Sequence, residues 1–197
     1  DQRKPRTQRI AYDIHLGEPY LYDSIRYAFR DSIQDSILRA TEKEAYLHQG
    51  DQFSTLNLTN EKDRIVSAFR NNGLYYYRHD YINYFADSTN IPYRVKLLVA
   101  PDIDLPDVAY RQFYFGNTSV YIRKSRTRTA NQQRRRDRAI NVYDDSIQRR
   151  RLKVAYQADR LPIAERVMLK NFKFHPGQMF NQSRVDQTLL ADRKSVV

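Results

Sequence analysis

The sequence predicts an α+β fold made of two consecutive modules, and three observations carry the prediction. An elbow-like segment occurs twice, the hydrophobic period switches between two and about 3.6 along the chain, and the segments follow the order strand, helix, helix, strand, strand. At 197 residues there is room for one large or two small domains. Hydrophobic residues make up 41% and aromatics 13%, with 16 Tyr, so a packed core is affordable and disorder is not the natural state.

The elbow is His48-Gln49-Gly50-Asp51-Gln52-Phe53. It returns 127 residues later as His175-Pro176-Gly177-Gln178-Met179-Phe180, with His, Gly and Phe at the same spacing. Each copy joins two helix-like segments, and a repeated elbow implies a repeated module. Gly50 and Gly177 are expected in conformations costly for other residues. Phe53 and Phe180 are expected beneath the helices.

The elements follow in order. Ile10, Tyr12 and Ile14 alternate with polar residues as a half-buried strand does, and Gly17 and Pro19 break the pattern. Ile25, Tyr27 and Phe29 give a second strand. Asp31 or Ser32 can cap a helix carrying Ile33 and Ile37 on one face and running to about Tyr46. Asn57 or Thr59 can cap the next helix. There Leu58, Ile65 and Phe69 share a face, Glu61, Lys62, Asp63 and Arg70 turn to water, and Asn71-Asn72-Gly73 is the stop. Residues 74–85 read as a Tyr-rich strand, and a turn over 87–92 leads into the alternation of Tyr93, Val95, Leu97 and Val99.

A second round then begins. Residues 112–122 read as a strand kinked at Gly116. Residues 123–150 read as loop or a poorly packed helix, and Leu152, Val154 and Tyr156 mark another strand. Pro162, Val167 and Leu169 lead to the second elbow, and Ser183 can cap a last helix bearing Val185, Leu189 and Val196.

The formal charge of +11 is concentrated in one segment. From Arg123 to Arg151 there are 11 Lys/Arg against 3 Asp, a net +8, which leaves about +3 for everything else. Arg126, Arg128, Arg134, Arg135, Arg136, Arg138, Arg149, Arg150 and Arg151 form this basic patch. Clustered guanidiniums bind phosphate, so a nucleic-acid-binding module is the rival reading, with Tyr121 and Tyr143 available to stack. No nucleic-acid-binding fold pattern surrounds the segment, and a solvated insertion or contact with anionic lipid headgroups ranks ahead of nucleic acid.

Other chemistry finds little footing. The absence of Cys removes thiol catalysis, disulfides and thiolate metal sites. No Gly-x-Ser-x-Gly, P-loop or His-Glu-x-x-His is present, and His15, His48, His79 and His175 lack ligand-like spacing. The expectation is a protein without catalytic centre, metal or cofactor. No run approaches the ~18 apolar residues of a membrane helix.

These elements together resemble POTRA domains, the polypeptide-transport-associated modules of the BamA/TamA-like barrel-assembly proteins of bacterial outer membranes. The resemblance is carried by the strand–Gly17–strand entry, the two His-x-Gly-x-x-Phe elbows, and Glu61-Lys62-Asp63-Arg64-Ile65 running into Asn72-Gly73-Leu74-Tyr75-Tyr76. It implies tandem POTRA-like modules, each a three-stranded mixed sheet with two helices on one face. Residues 1–19 would be a tail with the last strand of a preceding module, 20–101 a first module, and 102–197 a second. The second would carry the basic insertion 123–151 and be cut short at its C-terminus. The resemblance also implies a periplasmic arm of a protein anchored by a C-terminal β-barrel, without enzymatic activity. Its partners would be unfolded outer-membrane protein clients and accessory assembly subunits. In POTRA-like order the strand after the second helix lies at a sheet edge, which places Tyr75, Tyr77, Tyr81, Ile82 and Tyr84 on a partner-binding edge suited to strand addition.

Overall fold

The computed structural model of the protein describes residues 11–15, 17–122, 147–149, 152–156, 167 and 170–194. The first module runs β1 (Leu21–Tyr27), α1 (Ser32–Ala40), α2 (Thr55–Asn71), β2 (Ile82–Asp87) and β3 (Arg94–Pro101). β3 is the middle strand of the sheet, parallel to β1 and antiparallel to β2. This is the expected POTRA-like order.

Burial follows the alternation read from the sequence. Val95, Leu97 and Val99 point inward from β3, and Leu97 and Val99 share a core with Ile37 and Leu38 of α1 and Ile65, Val66 and Phe69 of α2. Each such side chain stabilises by about 1.5–3 kcal/mol through removal from water. Both helices therefore cover the same face of the sheet.

The boundaries differ from the expectation where local capping overrides periodicity. Asp31 caps α1 by accepting the N–H groups of Ile33 and Gln34, each at 3.0 Å. The helix stops at Ala40 rather than near Tyr46, because the Thr41 hydroxyl donates to the Ile37 carbonyl at 2.9 Å and a 3-10 turn (Glu42–Glu44) follows. α2 starts at Thr55, capped by Ser54 and not by Asn57 or Thr59. Of the strand expected from Ile10, that residue lies outside the described ones, and residues 11–15 form no strand: Tyr12 and Ile14 are 82% and 74% exposed, and no described strand pairs with them.

Glu61 is also misplaced by the sequence reading. It is fully buried, not turned to water. It accepts the Tyr27 hydroxyl at 2.6 Å, the Tyr46 N–H at 2.9 Å and the Arg64 guanidinium. Arg64 in turn donates to the carbonyl and hydroxyl of Thr41. Burial works against the charge of Arg64, but the Glu61 carboxylate and, after it, Tyr27 together outweigh it and the arginine pKa rises. The network ties β1, the end of α1, the approach to the elbow, and α2 together.

Residues 74–85 are the largest departure. Only Ile82–Asp87 is strand; residues 74–78 turn, and His79–Tyr81 is a 3-10 turn. Gly73, at φ +95°, reverses the chain after α2, and the Tyr77 ring then packs edge-on against Phe69 at 4.6 Å. That inward turn cannot coexist with an extended strand.

The second sheet contains β4 (Thr118–Ile122), β5 (Ile147–Arg149) and β6 (Leu152–Tyr156), in the order β4–β6–β5. β6 is parallel to β4 and antiparallel to β5, repeating the senses of the first sheet. Its hairpin precedes the elbow and helix α3 (Gln182–Lys194), whereas in the first module the hairpin follows the helices. Ile147–Arg149 is thus a strand where loop or loose helix was expected, and the strand expected over 112–122 is regular only from Thr118. No helix among the described residues is long and apolar enough to cross a membrane.

Candidate functional site

β2 lies at an edge of the first sheet, and no described residue pairs with its outer side. Its direction is fixed by Asp102, whose N–H donates to the Tyr81 carbonyl at 2.9 Å. In an antiparallel ladder such pairs recur every second residue, so Asn83, Phe85 and Asp87 bond inward to β3. Tyr84 and Ala86 therefore turn their N–H and C=O groups outward.

Ile82 does not serve as an open donor. Its N–H is taken by the His79 carbonyl at the end of the 3-10 turn, and its side chain is fully buried. A proline there would enter the core. Tyr84 also faces the helices: its hydroxyl donates to the Leu58 carbonyl at 2.7 Å and Lys62 Nζ stands 5.5 Å from its ring. Burial raises its pKa. Tyr84 thus anchors β2 from within while its backbone stays open. The opposite face carries Phe85, 54% exposed beside Leu98, with Arg26 and Lys96 on neighbouring strands. Phe85 was not singled out from sequence; counting alternate residues from the buried Ile82 would have placed it outward.

The remaining aromatics have other positions. Tyr77 is buried in the core, where burial raises its pKa, and Tyr81 is half-buried beside it at 5.8 Å. Tyr75 and Tyr76 pack against the second module: Tyr75 stands 4.8 Å from Phe180, and Tyr76 stands 5.2 Å from Phe113. Around them Phe113 N–H donates to the Gly73 carbonyl (2.9 Å), Gln112 Nε2 to the Asn72 carbonyl (3.1 Å) and Asn181 Nδ2 to the Asn71 carbonyl (2.9 Å). A Cβ on Gly73 would lie 3.0 Å from Met179 Cγ. The Asn-Asn-Gly stop is therefore a fitted joint as well as a helix end.

The elbows are built alike. In each, the His carbonyl accepts the N–H three residues on at 3.2 Å (Asp51, Gln178), with Gly50 at φ +89° and Gly177 at +84°. Gly in the third position at positive φ, with Pro176 in the second, is the chemistry of a type II turn. Each elbow then pairs with its module's entry strand through three bonds. Gly50, Tyr22 and Phe53 donate to Tyr22, Asp51 and Tyr20; Gly177, Phe115 and Phe180 donate to Phe115, Gln178 and Phe113. The ring pairs Tyr22–Phe53 and Phe115–Phe180 both stand at 5.4 Å. Phe180 is buried and Phe53 only half-buried.

Of the basic patch, Arg149 ends β5; Arg126, Arg128, Arg134, Arg135, Arg136, Arg138, Arg150 and Arg151 lie outside the described residues. His48 and His79 each approach one carboxylate, Asp51 at 3.3 Å and Asp63 at 2.7 Å. No group of three His, Asp or Glu among the described residues could hold a metal ion.

No family model matches the chain, and no curated protein matches it. Among solved structures it is similar to POTRA3–5 of BamA from Haemophilus influenzae, at 11% identity and a TM-score of 0.47, covering 90% of this chain and 51% of that one. It is also similar to the N-terminal domain of Omp85 from the thermophilic cyanobacterium Thermosynechococcus elongatus (10% identity, TM-score 0.29, covering 91% and 87%). POTRA1–3 of the periplasmic domain of Omp85 from Anabaena is a third (10%, 0.27, covering 90% and 86%). The chain spans about half the length of the BamA structure.

Proposed function

We propose that this chain is part of the periplasmic arm of an outer-membrane assembly protein, and that it holds extended client polypeptides by adding them as a strand to β2. The observation that carries the reading is the open edge at Tyr84 and Ala86, whose backbone groups face outward on a strand locked from behind by Tyr84 and Ile82. Main-chain pairing reads little sequence, which suits clients that differ from one another. Phe85 and Leu98 offer apolar contact on the adjoining face, and Arg26 and Lys96 offer charge. Natural edges are usually blunted by charge, Pro or bulges, and Tyr84-Phe85-Ala86 has none of these. Accessory subunits would dock by the same edge chemistry.

Ala86→Pro tests the reading. Ala86 is exposed and its N–H is not used by β3, so proline removes an outward donor where edges tolerate it. Titrated with a ten-residue amphipathic β-strand peptide of the barrel type, the variant should bind about tenfold more weakly at unchanged melting temperature. Equal affinity, or binding abolished by salt and mapped to Arg149 and the β5–β6 hairpin, would favour the electrostatic rival.

A further inference from the structure

The tripeptide Asp-Ser-Ile occurs four times in this chain, at 23–25, 31–33, 35–37 and 145–147, and Asp87-Ser88-Thr89 is a fifth Asp-Ser pair. Of the 11 Ser, 5 directly follow an Asp, where the chain's share of Asp, 18 in 197, would place about one. Duplication of the module does not account for the recurrence. Asp23 and Asp145 lie 122 residues apart against 127 for the elbows, and Ser24 sits in β1 whereas Ile147 opens β5. Asp145 and Ser146 lie outside the described residues.

A shared local structure does not account for it either. Asp23-Ser24-Ile25 crosses the irregular step of β1, with Ser24 opposite Lys96. Asp31-Ser32-Ile33 starts α1, Asp35-Ser36-Ile37 continues it, and Asp87-Ser88-Thr89 leaves β2 for the turn. Three of the Asp residues have structural roles: Asp31 caps α1, Asp35 pairs with Arg39 at 2.8 Å, and Asp87 accepts the Thr89 N–H at 3.0 Å. The serines have none. Ser24, Ser32, Ser36 and Ser88 are all exposed, and no described residue hydrogen-bonds their hydroxyls. The hydroxyls of Thr41, Thr59, Thr89 and Thr188, by contrast, all donate within the fold.

A tripeptide repeated through a strand, a helix and a turn, with its hydroxyl idle each time, is a signal read as sequence. We infer that these serines accept an O-linked saccharide from a glycosyltransferase that recognises Asp-Ser followed by Ile or Thr before the chain folds. The timing follows from burial. Ile37 is buried and Ile25 and Ile33 are half-buried in the native fold, and the sites share no backbone conformation. Modification before folding requires every acceptor to end exposed, and the four described ones do. A neutral sugar fits better than a phosphoryl group, because phosphate beside an Asp adds like charge. The step is a displacement: Ser Oγ bonds to the anomeric carbon of a sugar carried on a phosphate leaving group. The carbon–oxygen bond to that phosphate breaks, the phosphate leaves with the electron pair, and the hydroxyl proton passes to a base of the transferase. None of this depends on strand addition at β2, so either reading can fail without the other.

The test is peptide mass mapping of the full protein isolated from its own cells. Peptides holding Ser24, Ser32, Ser36 and Ser88 should weigh more than their sequence by whole saccharide units. Ser24→Ala should remove the unit from its peptide, and so should Asp23→Asn, although there the hydroxyl is intact. Ser67 and Ser183, exposed but preceded by Val66 and Gln182, should stay bare. Unmodified serines at all the tripeptides would overturn the inference, as would phosphate in place of sugar. Sugar retained in Asp23→Asn, or equal occupancy at Ser67, would also overturn it, because the tripeptide would then not be what is read. The timing is tested with a detergent extract of the same cell membranes. A synthetic peptide spanning residues 29–39 should accept sugar from it, and the folded chain made in a host without the transferase should not. Equal labelling of the two would contradict modification before folding.

Discussion

Asn71 at the end of α2 caps the first turn of α3: its Oδ1 accepts the Ser183 N–H at 2.9 Å, while its own carbonyl accepts Asn181 Nδ2. Two helices 110 residues apart in the chain thus satisfy each other's free termini. Asn71→Ala should cost about 0.5–2 kcal/mol, the usual loss of an N-cap acceptor. The check is chemical denaturation together with residual dipolar couplings, which should report looser alignment of the two modules. Unchanged alignment would mean the joint rests on its aromatic contacts and its remaining hydrogen bonds, among them Phe113 N–H to the Gly73 carbonyl.

Gly73 separates two effects that are usually confounded. Gly73→Ala and Gly50→Ala both place a side chain at positive φ, at a cost of about 1–2 kcal/mol. Only at Gly73 does the new methyl meet a neighbour, Met179 Cγ at 3.0 Å. Gly73→Ala should therefore destabilise more, and adding Met179→Ala should recover part of the difference. A double-mutant cycle by urea melts measures it; zero coupling would contradict the packing.

The buried pair should behave asymmetrically. Glu61→Ala leaves Arg64 buried without its carboxylate and should cost about 3–5 kcal/mol, whereas replacing both by Met should cost less. Denaturation midpoints of the single and double variants decide this. A double variant no better than the single one would locate the cost in lost volume.

Alkaline pH should expose the buried phenols. Burial raises the pKa of Tyr22, Tyr27, Tyr77 and Tyr84 above the ordinary phenol value of about 10. With the folded value above the unfolded one, their contribution is fully present below pH 10 and is lost as pH climbs toward the folded values. Stability should be flat to about pH 9.5 and then fall. Phenolate absorbance should show these four ionising only as the protein unfolds; ordinary titration in the native state would contradict their burial.

What the sequence discloses and what it withholds divide along contact range. The elbows were legible because a Gly turn and the one hydrogen bond that closes it lie within six residues, whereas the bonds that tie each elbow to Tyr20 and Tyr22 or to Phe113 and Phe115 were not. The β3 alternation was legible because period two is a local signal. Glu61 was not: its charge argued for water, and the partners that bring it inside, Tyr27 and Tyr46, lie on other elements. Tyr75 and Tyr76 read as strand because their ring partners, Phe113 and Phe180, come from the next module. The open edge itself was inferred from element order, but the residues that keep it open required the register.

Amide exchange along β2 under saturating strand peptide tests strand addition most directly. Tyr84 and Ala86, whose N–H groups face outward, should slow about tenfold or more, while Asn83 and Phe85, already bonded to β3, should change little. That alternation is the signature of a new strand. Uniform or absent slowing along β2, or protection confined to the β5–β6 hairpin, would contradict it.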